Sequence, residues 1–144
     1  MKVGDSGDDE AREVGVMQVR DGMTTKVLSI GPDHSLREAA RLMSQRGAGA
    51  AVVVDPDTDG IGILTERDVL DAVGGSQDPT RETASAHLTM DVVFARPDWT
   101  LEQAAEAMLH GGFRHLVVLD GQDIAGLLSM RDIVRCWTSE RTAG

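Results

Sequence analysis

The chain reads Gly62-Ile63-Leu64-Thr65-Glu66-Arg67-Asp68 near its middle and Gly126-Leu127-Leu128-Ser129-Met130-Arg131-Asp132 near its end. In both places an apolar run ends in a hydroxyl residue, and an aspartate follows three positions on. The apolar run reads as the end of a strand. The hydroxyl residue reads as the N-cap of a helix, which in the first stretch continues through Val69 and Leu70. Two readings of this pattern stand side by side. In one it is a capping box, in which hydroxyl and carboxylate satisfy each other's free backbone N–H groups. In the other it is a ligand site: a helix start offers spare N–H groups and partial positive charge to a phosphate, and a carboxylate one turn in can accept hydrogen bonds from ribose hydroxyls. A single occurrence favours the capping box, and a second occurrence inside a longer repeat shifts that balance.

The longer repeat appears on working outward. Val27 to Ile30 is a strand candidate, broken by Gly31-Pro32-Asp33. Ser35 can cap a helix with Glu38 as its box partner, and Leu36, Ala39, Ala40 and Met43 fall on one helix face before Gly47 ends it. Ala50 to Val54 is Val-rich and continuous, the pattern of a strand buried on both faces. A turn at Asp55–Gly60, a strand at Gly60–Leu64 and a helix at Thr65–Val73 complete the set. The series then restarts: strand Val92–Ala95, break Arg96-Pro97-Asp98, cap Thr100 with Gln103 at the box position, face Leu101/Ala104/Ala105/Met108, stop at Gly112. Strands His115–Leu119 and Ile124–Leu128 follow, then a helix from Ser129 to about Trp137. The copies are offset by 65 residues up to Asp55/Asp120 and by 64 from Gly62/Gly126 onward, so one deletion falls in the turn. This is an internal duplication of a β-α-β-β-α unit, an α/β (α+β) fold expected to pack its two copies face to face about a pseudo-twofold axis.

The expected boundaries are an acidic tail at 1–13, repeats at 14–74 and 83–138, a linker at 75–82 and a tail at 139–144. A short lead-in at Val16–Val19, ended by Gly22, opens the ordered part. The formal charge is -10. Without a positive surface to release counterions, nucleic-acid binding is not expected. The lone Cys136 forbids an intrachain disulfide and reads as a packed side chain. No apolar signal stretch or membrane-length run is visible, which points to the cytoplasm and away from the membrane.

These residues resemble the cystathionine-β-synthase (CBS) domain family. The match is carried by Met23-Thr24 through Pro32-Asp33, the two Leu/Ala/Ala/Met helix faces, Ala51–Asp55, Arg114–Val118 and the two strand–helix junctions, in the same order twice. The pair resembles a standalone CBS tandem, or Bateman module. The resemblance implies two βαββα repeats with clefts between them, a regulatory rather than enzymatic role, and binding of an adenosyl ligand such as AMP, ADP, ATP or S-adenosylmethionine, with no obligatory cofactor. It implies a homodimer, and signalling through that dimer or through a target protein. By the same resemblance Thr65, Asp68, Ser129 and Asp132 contact phosphate and ribose. Ser29 fits the family's polar position on the first strand, where the second copy has Phe94. Arg114-His115 fits a basic pair facing phosphate, where the first copy has Gly49-Ala50; Val117 stands where the family often has Pro. Neither copy is complete, so a scaffold protein with degenerate, empty clefts is the alternative.

His34, His87, His110 and His115 show no i, i+4 pair, so no metal is expected. His34 reads as a turn residue and His110 as a helix-end residue. No nucleophile–base arrangement stands out, since the Ser and Thr residues sit at caps.

Overall fold

The computed structural model describes residues 16–143, with side chains through Ser139. The tail expected at 1–13 lies outside these residues. In chain order the elements are α1 (Val19–Gly22), β1 (Ser29–Ile30), α2 (Leu36–Arg46), β2 (Ala50–Val54), β3 (Ile61–Thr65), α3 (Glu66–Gly74), α4 (Ala84–His87), β4 (Phe94–Ala95), α5 (Leu101–Gly111), β5 (His115–Asp120), β6 (Asp123–Ser129) and α6 (Met130–Ala143). The duplication is therefore present as mixed α and β structure. The first strand of each copy is shorter than its apolar run suggests, although Val52 N–H still donates to Leu28 C=O just beyond β1 (2.9 Å). The last helix continues past Trp137 to Ala143, because Thr138 to Ala143 contains neither Gly nor Pro to stop it.

The described chain divides into two compact units. One is Lys26–Val92; the other joins the chain up to Thr25 to the chain from Val93 onward. Each holds a three-stranded sheet, β1-β2-β3 or β4-β5-β6, whose first pair is parallel and second antiparallel. Alternation along the strands sends Ile30, Ala51, Val53 and Leu64 into one core with Leu36, Ala39 and Met43 of α2. In the other unit Ala95, Leu116, Val118 and Leu128 pack with Leu101, Ala104, Ala105 and Met108 of α5 and Ile133 of α6. Leu36, Leu64, Leu101, Leu116 and Leu128 are fully buried, each contributing about 2 kcal/mol by area. The matched helices α2 and α5 start in closed capping boxes, Ser35/Glu38 and Thr100/Gln103, so Gln serves in the second copy where the first has Glu. Both end on a left-handed glycine, Gly47 and Gly112, a conformation that costs other residues strain.

The units do not coincide with contiguous repeats, because the lead-ins are exchanged. Val19 N–H donates to Trp99 C=O (2.7 Å), and in the other unit Ala84 N–H donates to His34 C=O (2.8 Å). Leu101 N–H donates to Met17 C=O (3.1 Å), and Leu36 N–H to Glu82 C=O (2.9 Å). Thr24 and Leu127 exchange two backbone bonds (2.8 and 3.0 Å), as do Thr89 and Ile63 (2.8 and 2.9 Å). The lead-in of each copy thus supplies one helical turn and one edge bridge to the unit that holds the other copy's sheet. At these bridges a Cβ on the strand glycine meets its neighbour closely. A Cβ on Gly126 would meet Thr24 O at 2.7 Å, and one on Gly62 would meet Leu88 Cδ1 at 2.7 Å and Thr89 O at 3.0 Å.

Candidate functional site

Each sheet delivers a strand directly into a helix, and that junction gathers the candidate residues. In the Lys26–Val92 unit, Thr65 ends β3 and caps α3. Its N–H donates to Asp68 Oδ2 (2.8 Å), while Asp68 N–H donates to Thr65 Oγ1 (3.2 Å). The first helical N–H, that of Glu66, donates to Gly49 C=O (2.9 Å), which pins the helix start to the beginning of β2. Ser29 pairs with Val52 and Val52 with Ile63, two residues before Thr65. Ser29 and Thr65 therefore share the sheet face opposite the helix-packed core. Ser29 is exposed, and Thr65 and Asp68 are half-buried.

The second unit repeats this geometry. Ser129 N–H donates to Asp132 Oδ2 (2.9 Å), Asp132 N–H donates to Ser129 Oγ (3.0 Å), and Met130 N–H donates to Arg114 C=O (2.9 Å). His115 is the cross-strand partner of Ser129, which sets their Cβ atoms about 5 Å apart. Phe94 takes the place of Ser29 and pairs with Val117. Arg114 is exposed and His115 half-buried. The structure thus gathers Ser29, Thr65 and Asp68 in one unit and Arg114, His115, Ser129 and Asp132 in the other.

The capping-box reading is correct as local geometry, since both boxes close in full. Asp132 carries more than a cap. It is the buried charged residue of the described chain, 7% exposed, and its second oxygen, Oδ1, accepts from the Arg135 guanidinium. Arg135 was not among the sequence candidates. Its signal was a charge reversal, because the matching residue of the first copy is Asp71. Among the described residues no cation pairs with Asp68.

The histidines are dispersed. His34 Nδ1 accepts from Gly31 N–H in a turn (3.1 Å), as its sequence position suggested. His87 Nε2 lies 2.6 Å from Glu82 Oε1. Among the described residues, no three His, Cys, Asp or Glu side chains are placed to hold a metal ion, and no helix is long and apolar enough to cross a membrane.

The CBS-domain family profile matches the chain twice, over residues 14–75 and 85–138. The chain belongs to the CBS-domain family. The CBS domain-containing protein YhcV of Bacillus subtilis is 30% identical over 128 residues, covering 88% of this chain and 89% of that protein. The crystal structure of the CBS-domain containing protein ATU1752 from Agrobacterium tumefaciens superposes with a TM-score of 0.76 at 34% identity, covering 85% of this chain and 96% of that one. The CBS domain pair of protein MJ0100, solved in complex with 5'-methylthioadenosine and S-adenosyl-L-methionine, reaches a TM-score of 0.77 at 21% identity, with coverage of 87% and 98%; that likeness concerns the fold. The paired CBS repeats expected from the sequence are present.

Proposed function

We propose that this CBS pair is a regulatory module, not an enzyme, that binds an adenosyl ligand at its strand–helix junctions. The observation that carries this reading is the pair of junctions themselves. In each, a hydroxyl and a carboxylate stand at a helix start at one fixed spacing, on a backbone pinned by the same hydrogen bond. A helix start suits phosphate and an acceptor-only carboxylate suits a ribose diol. The adenosyl complex of the MJ0100 CBS pair, a relative in fold, supports the same chemistry. Ser29, Thr65 and Asp68 would serve one junction, and Arg114, His115, Ser129 and Asp132 the other. AMP, ADP, ATP and S-adenosylmethionine are the ligands to test.

The signal would pass through a homodimer or a target protein. The last helix of each copy leaves large apolar residues in solvent at matching positions: Leu70 and Val73 on α3, Val134 and Trp137 on α6. Such faces suit a second copy of the chain. Light scattering at micromolar concentration that shows monomer alone would remove the dimer from this proposal.

A second reading, an unliganded scaffold, draws on the same boxes. They are complete without any ligand, and Phe94 and Gly49-Ala50 depart from the ligand-binding pattern. Thermal denaturation with AMP, ATP and S-adenosylmethionine separates the two. Ligand at about 100 times Kd stabilises by roughly 2.7 kcal/mol, which raises the melting temperature by several degrees in a protein of this size. Asp68→Asn or Asp132→Asn should reduce that rise. No response to any adenosyl compound at millimolar concentration would leave the scaffold standing.

A further inference from the structure

The two junctions share a backbone and differ in charge. From the first copy to the second, Gly49 becomes Arg114, Glu66 becomes Met130 and Asp71 becomes Arg135, changes of one, one and two positive charges. The last of these reaches the site directly, since the Arg135 guanidinium lies on Asp132 Oδ1 while Ser129 N–H holds Oδ2. Each oxygen of that carboxylate accepts one of these bonds. Asp68 has one oxygen in its cap and no cation beside it among the described residues.

We propose that Arg135 is a specificity-determining residue. Paired with Asp132, it offsets the charge of that carboxylate and turns the second-copy junction into a site for an anionic, phosphorylated ligand. This rests on the reading of the junctions as adenosyl sites. The chemistry is direct. A bare carboxylate repels phosphate, and an arginine paired with it offsets that repulsion while the carboxylate keeps lone pairs for a hydroxyl. Arg135 is itself 62% exposed, so its remaining guanidinium donors stay open to a phosphate, for which a planar fork is well matched. Arg114 immediately precedes β5, the strand beside the cap, and adds to the same positive field. In the first copy Asp71 at the matching place leaves the Asp68 charge without a cation among the described residues and offers phosphate no donor.

The test is a calorimetric titration of the full chain with AMP and with adenosine, which differ only in the phosphate. Both are measured for the parent protein and for Arg135→Ala and Arg135→Lys, each in an Asp68→Asn background that leaves one intact carboxylate. The parent should prefer AMP over adenosine. Arg135→Ala should lower that preference at least tenfold, by weakening AMP while adenosine changes little. Arg135→Lys should keep most of it. A merely structural Arg135 would weaken both ligands alike, and an unchanged AMP-to-adenosine ratio in Arg135→Ala with binding intact would overturn the proposal while the adenosyl reading stood. Binding of neither compound to the wild-type chain would overturn both.

Discussion

At the start of α3, Thr65 and Asp68 close a capping box and the next turn of helix brings Asp71; at the start of α6, Ser129 and Asp132 close the same box and the next turn brings Arg135. The backbone role is identical and the electrostatics are opposite. What both junctions keep is therefore what the fold needs: a cap for the orphan N–H groups and a bond from the first helical N–H to the neighbouring strand. What they do not share is free to serve something else. The Asp132–Arg135 pair joins a buried carboxylate to a mostly exposed guanidinium, so it keeps a buried charge from standing alone. Its value lies in fixing the charge that one junction presents.

The largest effects that would test the equivalence of the two units lie at the edge bridges. Gly126→Ala drives a Cβ against the backbone oxygen of Thr24 at 2.7 Å, whereas in Gly62→Ala the closest neighbour is the movable Leu88 side chain. Overpacking of this kind costs about 1–3 kcal/mol. Gly126→Ala should stand at the upper end of that range and Gly62→Ala at the lower, as read from urea midpoints. Equal costs would mean that the two bridges give alike.

Next comes Val19, fully buried beside Leu101 and Leu128. Val19→Ala should cost about 2 kcal/mol. Amide exchange should accelerate in the residues from Val93 onward and leave Lys26–Val92 at wild-type protection. Acceleration in Lys26–Val92 instead would break the assignment of the lead-in to the second copy's unit.

Loss of a cap is smaller. Thr65→Ala and Ser129→Ala should each cost about 1 kcal/mol without ligand, and circular-dichroism melts should show the two alike. A gap well beyond that size would show that the Arg135 pair changes the cap as well as the charge.

The smallest effect sits in the linker, where Asp78 accepts from the Thr80 hydroxyl (2.7 Å) and the Thr80 N–H (3.0 Å). The hydroxyl bond first, then the backbone bond, holds its carboxyl below the ordinary value. A carboxyl depressed in the folded state contributes stability above its unfolded pKa, and that contribution is lost as pH falls through the folded value. An NMR titration of Thr80→Val should move the Asp78 midpoint upward. No movement would rule out the hydroxyl as the cause.

How much of this could be read from the sequence follows from range. The duplicated elements were legible because periodicity, caps and glycine stops are local, and the 65/64 offset placed them in register. The junction geometry was legible for the same reason. The exchange of lead-ins was not. Val16–Val19 and the Ala84–His87 turn are too short for any period to show, and the partners of Val19 and Ala84 lie far away in sequence. The one available clue was the offset itself, which sets Thr24 against Thr89. Arg135 was not legible from the repeat because it stands where the copies differ, opposite Asp71, and its partner Asp132 is set by the fold.

The exchanged lead-ins also bear on how such a chain can be cut or inherited. A single copy taken alone would carry a helical turn and a Thr bridge with no seat on its own sheet, beside a vacant seat made for another copy's. Two such half-chains would complete each other by trading these segments. The tandem is then what results when the traded pair is written into one gene: neither half can be deleted, shuffled or expressed by itself without leaving its sibling unfinished.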